Sequence, residues 1–332
     1  MDLRLALYQW VGLHGLNAAQ QARLEELAGL GAEPPALARR MRQGLAVLAA
    51  GLGGFGLILW LAANWGSLGR FGRFGLLEAL LLLLGIAACS LGRRRAALAP
   101  ALGLMVLLLQ GGLFAYFGQT YQTGADPWQL FALWALLALP LALGLRSDVL
   151  WTPWALVAMT AVSLWAANRL GHAWHFAPGA WQVYLLSWGF SFALLLALAA
   201  PLRPWTGAGV WSWRLALSLA VFNLGFTGLL SLFSQQLSPI YLLALGLLGL
   251  GAWLLSRPHG FEVYGLSLLT LALNVLLVCG LGRLLLQDRH GDPVGEFFIL
   301  TLVAAGLLAL SVKWLLGLSR RHEAPLVQGV AQ

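Results

Sequence analysis

Residues 110–140 read QGGLFAYFGQTYQTGADPWQLFALWALLALP. An apolar helix interrupted by glycine runs into a short polar loop, 119–126. A second apolar helix restarts at Pro127. Asp126-Pro127-Trp128-Gln129 has the form of a helix start, with Asp as N-cap, Pro at the first helical position and Gln at the third. Each flanking helix is about as long as a hydrocarbon core is thick. The stretch therefore reads as two membrane crossings joined by a tight turn.

The rest of the chain has the same character. Hydrophobic residues make up 60% of it and charged residues 10%. A soluble globule needs a polar skin that this composition cannot supply. Backbone groups inside lipid must be satisfied within the segment, so the apolar runs are helices. No period-two alternation suggests a β-barrel. The formal net charge of +8 sits at the ends of apolar runs, where it orients helices, and does not point to nucleic acid. Cys89 and Cys279 lie inside apolar runs, so neither a disulfide framework nor a metal site is expected. The apolar start of the chain, 5–13, is too short for a signal peptide and lacks a small-residue cleavage site.

The spacing predicts an all-α polytopic membrane protein with about ten spans. They fall near 45–64, 73–92, 98–117, 128–146, 150–167, 181–200, 211–233, 239–256, 262–283 and 295–316. With the N-terminus inside, 15 of the 20 Lys and Arg fall on inner segments and 5 on outer ones. This bias places both termini in the cytoplasm. Three regions follow: cytoplasmic amphipathic helices at 1–43, a transmembrane bundle at 44–318, and a short cytoplasmic tail at 319–332. In the first, Asn17 and Gln20 form a capping box, Pro34-Pro35 ends that helix, and a second short helix carries Leu37, Met41 and Leu45. This pair either rests on the membrane surface or docks a cytoplasmic protein partner. Leu-Trp-Leu-Ala-Ala-Asn at 59–64 and Leu-Trp-Ala-Ala-Asn at 164–168 echo each other four spans apart, the mark of either a repeat or chance in an Ala/Leu-rich chain.

Several polar groups stand out. Gln110, Tyr116, Gln119, Thr120, Tyr121, Gln122 and Thr123 gather around one helix end, with Asp126 and Trp128 beside them. Many hydrogen-bonding groups and a single charge suit a neutral polar solute or a lipid headgroup. Asp126 has a capping role as its alternative, and Trp128 an interfacial one. Glu78 lies inside the second span, with Gly85, Cys89 and Gly92 on its face. It is either a bundle-facing proton-coupling group or an interfacial partner of Arg73. Polar stripes recur in the sixth span (Tyr184, Ser187, Ser191), the seventh (Asn223, Thr227, Ser231, Ser234) and the ninth (Ser267, Thr270, Asn274). Such stripes either glue helices together or line a hydrated cavity, of which Asn223 and Asn274 would be part.

Other features read as ordinary. His172-Ala173-Trp174-His175 lacks further ligands and reads as an outer loop, like 288–292. Asp148 after Arg146 reads as a turn charge. No phosphate-binding GxxxxGK[ST] and no HExxH occurs, and Gly265-Leu266-Ser267 has no nearby His. No catalytic residue and no cofactor is assigned.

Residues 117–131, FGQTYQTGADPWQLF, followed by 133–141, LWALLALPL, resemble a family of bacterial membrane proteins known as domain of unknown function 2157. The resemblance extends over about 8–150, from the segment 10–27 to the loop motif Gln119, Tyr121, Gly124 and Asp126. It implies a multi-span protein of the bacterial cytoplasmic membrane and supplies no activity.

Three functions fit these residues. One is transport or lipid handling through a polar cavity at 119–126, with membrane lipid or a small polar solute as partner. The second is a scaffold or sensor docking a partner at 1–43. The third is an intramembrane lipid-modifying transferase using Glu78, Asp126 or Glu296. The topology is tested directly by reporters fused at each terminus. Both should be active on the cytoplasmic side, and activity of either on the opposite side would contradict the charge reading.

Overall fold

The computed structural model describes residues 7, 10–11, 13–28, 35–63, 69–92, 98–121, 124, 126–171, 176–234, 238–258, 260–286 and 293–328. These residues form a short helix, α1 (Ala18–Leu27), and ten long ones. The long helices are α2 (Pro35–Ala63), α3 (Arg70–Gly92), α4 (Ala99–Tyr121), α5 (Pro127–Leu145) and α6 (Asp148–Leu170). They continue as α7 (Trp181–Ala197), α8 (Val210–Leu232), α9 (Pro239–Leu255), α10 (Val263–Leu286) and α11 (Pro293–Gln328). Among the described residues there is no strand. Nine of the helices contain stretches long and apolar enough to cross a membrane. The tenth, α9, has 17 residues; at 1.5 Å per residue that is about 25 Å, slightly short of a ~30 Å core.

Helix starts follow local chemistry. The Asn17 and Gln20 side chains accept from each other's backbone N–H at 2.9 and 3.0 Å, completing the expected capping box of α1. Ser147 and Ser238 cap α6 and α9. Pro127 and Pro239 each stand in the first turn, where the missing N–H costs nothing.

The helices pack as a row. α4, α6, α8 and α10 form a central line, each touching the next. α5 wedges between α4 and α6, α7 between α6 and α8, and α9 between α8 and α10. α2 and α3 pack on α4 at one end of the line, and α11 packs on α10 at the other. The recurring unit of the packing is thus two helices long. Small residues let the helices approach. Ala135, Ala138 and Ala142 of α5 meet Trp151, Trp154, Ala155 and Ala158 of α6 in one buried cluster. A side chain on Gly111 would overlap the Trp134 indole, and Gly112 lies against Ile58. Gly111 and Gly112 therefore receive α5 on one side of α4 and α2 on the other. Trp134 Nε1 donates to the Leu107 carbonyl at 3.0 Å, and Trp154 Nε1 to that of Ala135 at 2.8 Å.

The starts of three central helices are tied together. The Asp148 carboxylate, in the first turn of α6, accepts from the backbone N–H groups of Gly209, Trp211 and Ser212 at 2.9, 2.9 and 3.0 Å. It thereby caps α8 from another helix. Gly209 lies so close that a Cβ there would overlap Asp148, and Gly207, at φ 70°, lies equally close to Arg146. Trp151 Nε1 donates to the Thr206 carbonyl at 2.8 Å, and the Arg146 guanidinium donates to that of Pro204. One turn into α8, Arg214 pairs with Glu262 through Nε at 2.9 Å and Nη2 at 2.6 Å. The other oxygen of Glu262 accepts from the Gly265 N–H and so caps α10. Hence α6, α8 and α10 begin at one face of the bundle, called here the Asp148 face; the opposite one is the Asp126 face.

The structure corrects several expectations. α4 continues to Tyr121, so Gln119, Thr120 and Tyr121 occupy its last turn and not a loop. The second short helix and the first span are a single helix, α2, which Pro35 begins. α1 ends at Leu27, before Pro34 is reached. α11 runs unbroken into the expected tail. Asp148 is an interhelical cap rather than a solvated turn charge.

Asp148→Ala removes three charge-assisted bonds and should destabilise the protein by about 2 kcal/mol. Gly209→Ala should do similar damage by displacing the same carboxylate. Because both act on one joint, the double variant should cost clearly less than the sum of the two in thermal unfolding. Additive losses would show that the joint is not one unit.

Candidate functional site

The residues picked out around 119–126 are divided by the structure. Tyr121 belongs to an aromatic cluster at the end of α4. Its ring lies 4.8 Å from Phe117 and 5.9 Å from Phe74, centroid to centroid, with the Arg70 guanidinium 5.8 Å away. Tyr116 is buried beneath this cluster and donates its hydroxyl to the Arg70 carbonyl at 3.3 Å. Gln119 is exposed and Gln110 is half-buried. Gln122 and Thr123 lie outside the described residues, as do His172, His175 and 288–292.

Asp126 holds the N-cap position, yet its side chain makes no cap bond. Its carboxylate turns sideways and accepts from Asn168 Nδ2 at 2.9 Å and from Trp128 Nε1 at 3.3 Å. It therefore ties the start of α5 to the end of α6 and also engages Trp128.

The expectation that Glu78 faces the bundle is overturned. α3 meets α4 through Leu77, Leu84 and Ala88, whereas Glu78, Leu82, Ile86 and Cys89 are exposed. The glycines and Cys89 on the Glu78 face misled because a helix so uniformly apolar carries no strong directional signal.

The asparagines of the polar stripes make interhelical ties. Asn223 Nδ2 donates to Ser187 Oγ at 2.9 Å and Ser191 Oγ at 3.3 Å, joining α8 to α7. Trp188 Nε1 donates to Thr227 Oγ1 at 3.5 Å. Asn274 Nδ2 donates to Ser311 Oγ at 2.9 Å, joining α10 to α11. Ser267 and Thr270 donate back to carbonyls of their own helix. Asn223 and Asn274 thus serve different seams, neither of which involves the 119–126 region.

The opposite side of α8 carries a feature that the polar residues do not reveal. A cavity of about 490 Å³ lies between α8 and α10, lined on α8 by Ser218, Val221, Phe222, Gly225, Phe226 and Leu229. On α10 it is lined by Leu268, Leu271, Ala272, Val275 and Leu276. A second cavity of about 500 Å³ is lined by Phe233 and Ser234 next to α8, by Cys279, Gly282, Arg283 and Leu286 of α10, and by Leu300 of α11. The α10 residues of both recur every three or four positions from 268 to 286, so they form one stripe along one helix face. The two cavities therefore follow one another along one face of α10, and together they are called the groove here. At 1.5 Å per residue its α10 wall is about 27 Å long. Phe222, Leu271 and Val275 on its rim are exposed, so it opens sideways from the bundle.

The two ends of the groove differ. At the Asp148 face, Arg214 is held by Glu262 and lies 5.2 Å from the Tyr264 ring centroid and 5.5 Å from that of Trp211. The Tyr264 and Ser218 hydroxyls sit 2.6 Å apart and bridge the two walls. At the Asp126 face the groove ends at Arg283, whose Nη1 is buried without a hydrogen-bond partner among the described residues. Sequence reasoning missed the groove because apolar stripes at helical spacing occur on every span. The one available signal was the paired glycine and phenylalanine pattern Phe222, Gly225, Phe226.

Among the described residues no cluster of His, Cys, Asp and Glu could hold a metal ion. Residues 8–151 match the family described as "Predicted membrane protein (DUF2157)". That segment ends at the start of α6, so the groove lies beyond it. No curated protein and no solved structure matches the chain.

The Asp126–Asn168 tie generates a test. Asp126→Asn keeps an acceptor and should change the thermal midpoint little. Asn168→Ala should lower stability by about 1 kcal/mol through the lost hydrogen bond. If Asp126→Asn proves much the more damaging in thermal unfolding, the charge has a role beyond this tie.

Proposed function

We propose that this polytopic membrane protein handles lipid, holding an acyl chain in the groove between α8 and α10. The observation that carries the reading is the groove itself. It is apolar along most of its length, opens sideways, and has a wall longer than the ~15 Å of one leaflet. A transport path for a small polar solute would call for polar groups facing a shared cavity. The two asparagines that could have supplied them, Asn223 and Asn274, are bonded across the α7–α8 and α10–α11 seams. The candidate headgroup contacts of the earlier reading, Gln119, Tyr121, Asp126 and Trp128, occupy the same face of the membrane as the Arg283 end. They can meet lipid there without forming a channel. With both termini in the cytoplasm of a bacterial cell, that face of the cytoplasmic membrane is the outer one.

A second reading rests on α1, which buries no residue and leaves Leu27 exposed. The region 1–43 would then dock a cytoplasmic partner or lie on the membrane surface. It is compatible with lipid handling and adds an input to it.

Gly225 gives a clean test. A Cβ built there meets nothing within 4 Å, and the position lines the groove, so a side chain at this site is directed into it. Gly225→Phe should fold, because leaving glycine in a helix interior favours folding by roughly 0.5–1 kcal/mol. It should also lose most of the lipid that the wild type retains in native mass spectrometry after detergent extraction. Undiminished lipid retention by a folded Gly225→Phe variant would overturn the reading.

A further inference from the structure

We infer that the groove selects a lipid with an anionic headgroup, bound by the Arg283 guanidinium at the Asp126 face; this rests on the lipid-handling reading above. The argument begins with the contrast between the two arginines that flank the groove. Arg214 has its carboxylate at 2.6 Å and two aromatic rings beside it. Arg283 has a buried Nη1 without a hydrogen-bond partner among the described residues. A guanidinium is always charged, so it cannot relieve this by losing a proton. A buried donor of that kind calls for an acceptor, and a positive charge calls for a negative one.

The surroundings of Arg283 narrow the choice. Among the described residues lining its cavity none is acidic. Arg283 lies in the last turn of α10, at the depth where headgroups meet the hydrocarbon. The fork of a guanidinium matches two oxygens of a phosphate or carboxylate. A free anion would explain the charge but not the wall of apolar residues continuing from Cys279 to Leu268. A neutral lipid without phosphate would fill the groove but offer Arg283 no anion, and a zwitterionic one would offer a phosphate whose charge its own ammonium group offsets. An anionic amphiphile satisfies both ends of the same groove, with its chain directed toward the closed Ser218–Tyr264 bridge.

The test uses the full chain in vesicle-derived nanodiscs and compares retention of phosphatidylglycerol with that of phosphatidylcholine. The wild type should favour phosphatidylglycerol by about tenfold, because its headgroup brings no cation to offset the phosphate at Arg283. Arg283→Gln should bring the ratio close to one while phosphatidylcholine is still retained. Cys279→Asp, which places a carboxylate in the same cavity, should do likewise and guards against a failure of Arg283→Gln to fold. Gly225→Phe should reduce both lipids together.

Three outcomes overturn the inference. One is an unchanged preference in folded Arg283→Gln and Cys279→Asp. Another is a wild type with no preference but full lipid retention, which leaves the lipid reading standing. The third is displacement of phosphatidylglycerol by millimolar inorganic phosphate, which would identify a free-anion site. Loss of all specific retention in the wild type would instead remove the lipid reading itself.

Discussion

The Asp148 carboxylate holds this bundle in register. The first backbone N–H groups of a helix have no partner within it, and in a membrane protein water cannot be assumed to supply one. α8 has no capping side chain at its own start, Gly209. It receives that function from α6, across 61–64 residues of sequence. Two glycines are required for the approach, and a side chain at either would push the helices apart. The same logic repeats once along the row, where Arg214 of α8 reaches Glu262 at the start of α10. Helix starts are thus chained one to the next, which fixes the height and spacing of the central line.

The groove follows from that spacing. α9 fills one side of the crevice between α8 and α10, and Gly228 brings Ala244 and Leu276 close there. On the other side no helix is inserted, and Gly225 offers only a hydrogen atom to the gap. The Arg214–Glu262 pair and the Tyr264–Ser218 bridge close the crevice at the Asp148 face. α11 narrows it at the other, where Gly282 approaches Leu300. The structural joint and the groove are therefore successive segments of one helix pair. Arg214 and Glu262, paired with each other, belong to the joint, and Arg283 belongs to the groove.

Much of the fold was legible because hydrocarbon thickness imposes length. All ten expected spans appear as helices, most with ends shifted by a few residues, although the first starts ten residues early and the last runs twelve residues on, and α9 keeps its place despite its 17 residues. Asn17, Pro127 and Pro239 announced helix starts correctly because capping depends on adjacent residues. What failed to show was anything set by partners distant in sequence. Asp148 looked like a turn charge because its three donors lie on another helix. Glu78 stayed open between two readings because α3 is apolar on every side, so periodicity could not distinguish the face toward α4 from the face toward lipid. The stripes of Asn223 and Asn274 were visible, but their partners Ser187, Ser191 and Ser311 decide their role. The groove stayed hidden because apolar lining resembles apolar packing until the neighbouring helix is placed.

The most direct measurement is an experimental density map of the protein in a native-lipid nanodisc, inspected between α8 and α10. The account predicts elongated density along Gly225 and Val275, with its head within hydrogen-bonding distance of Arg283. A groove closed by side chains, with Arg283 paired to a carboxylate of the protein itself, would contradict it.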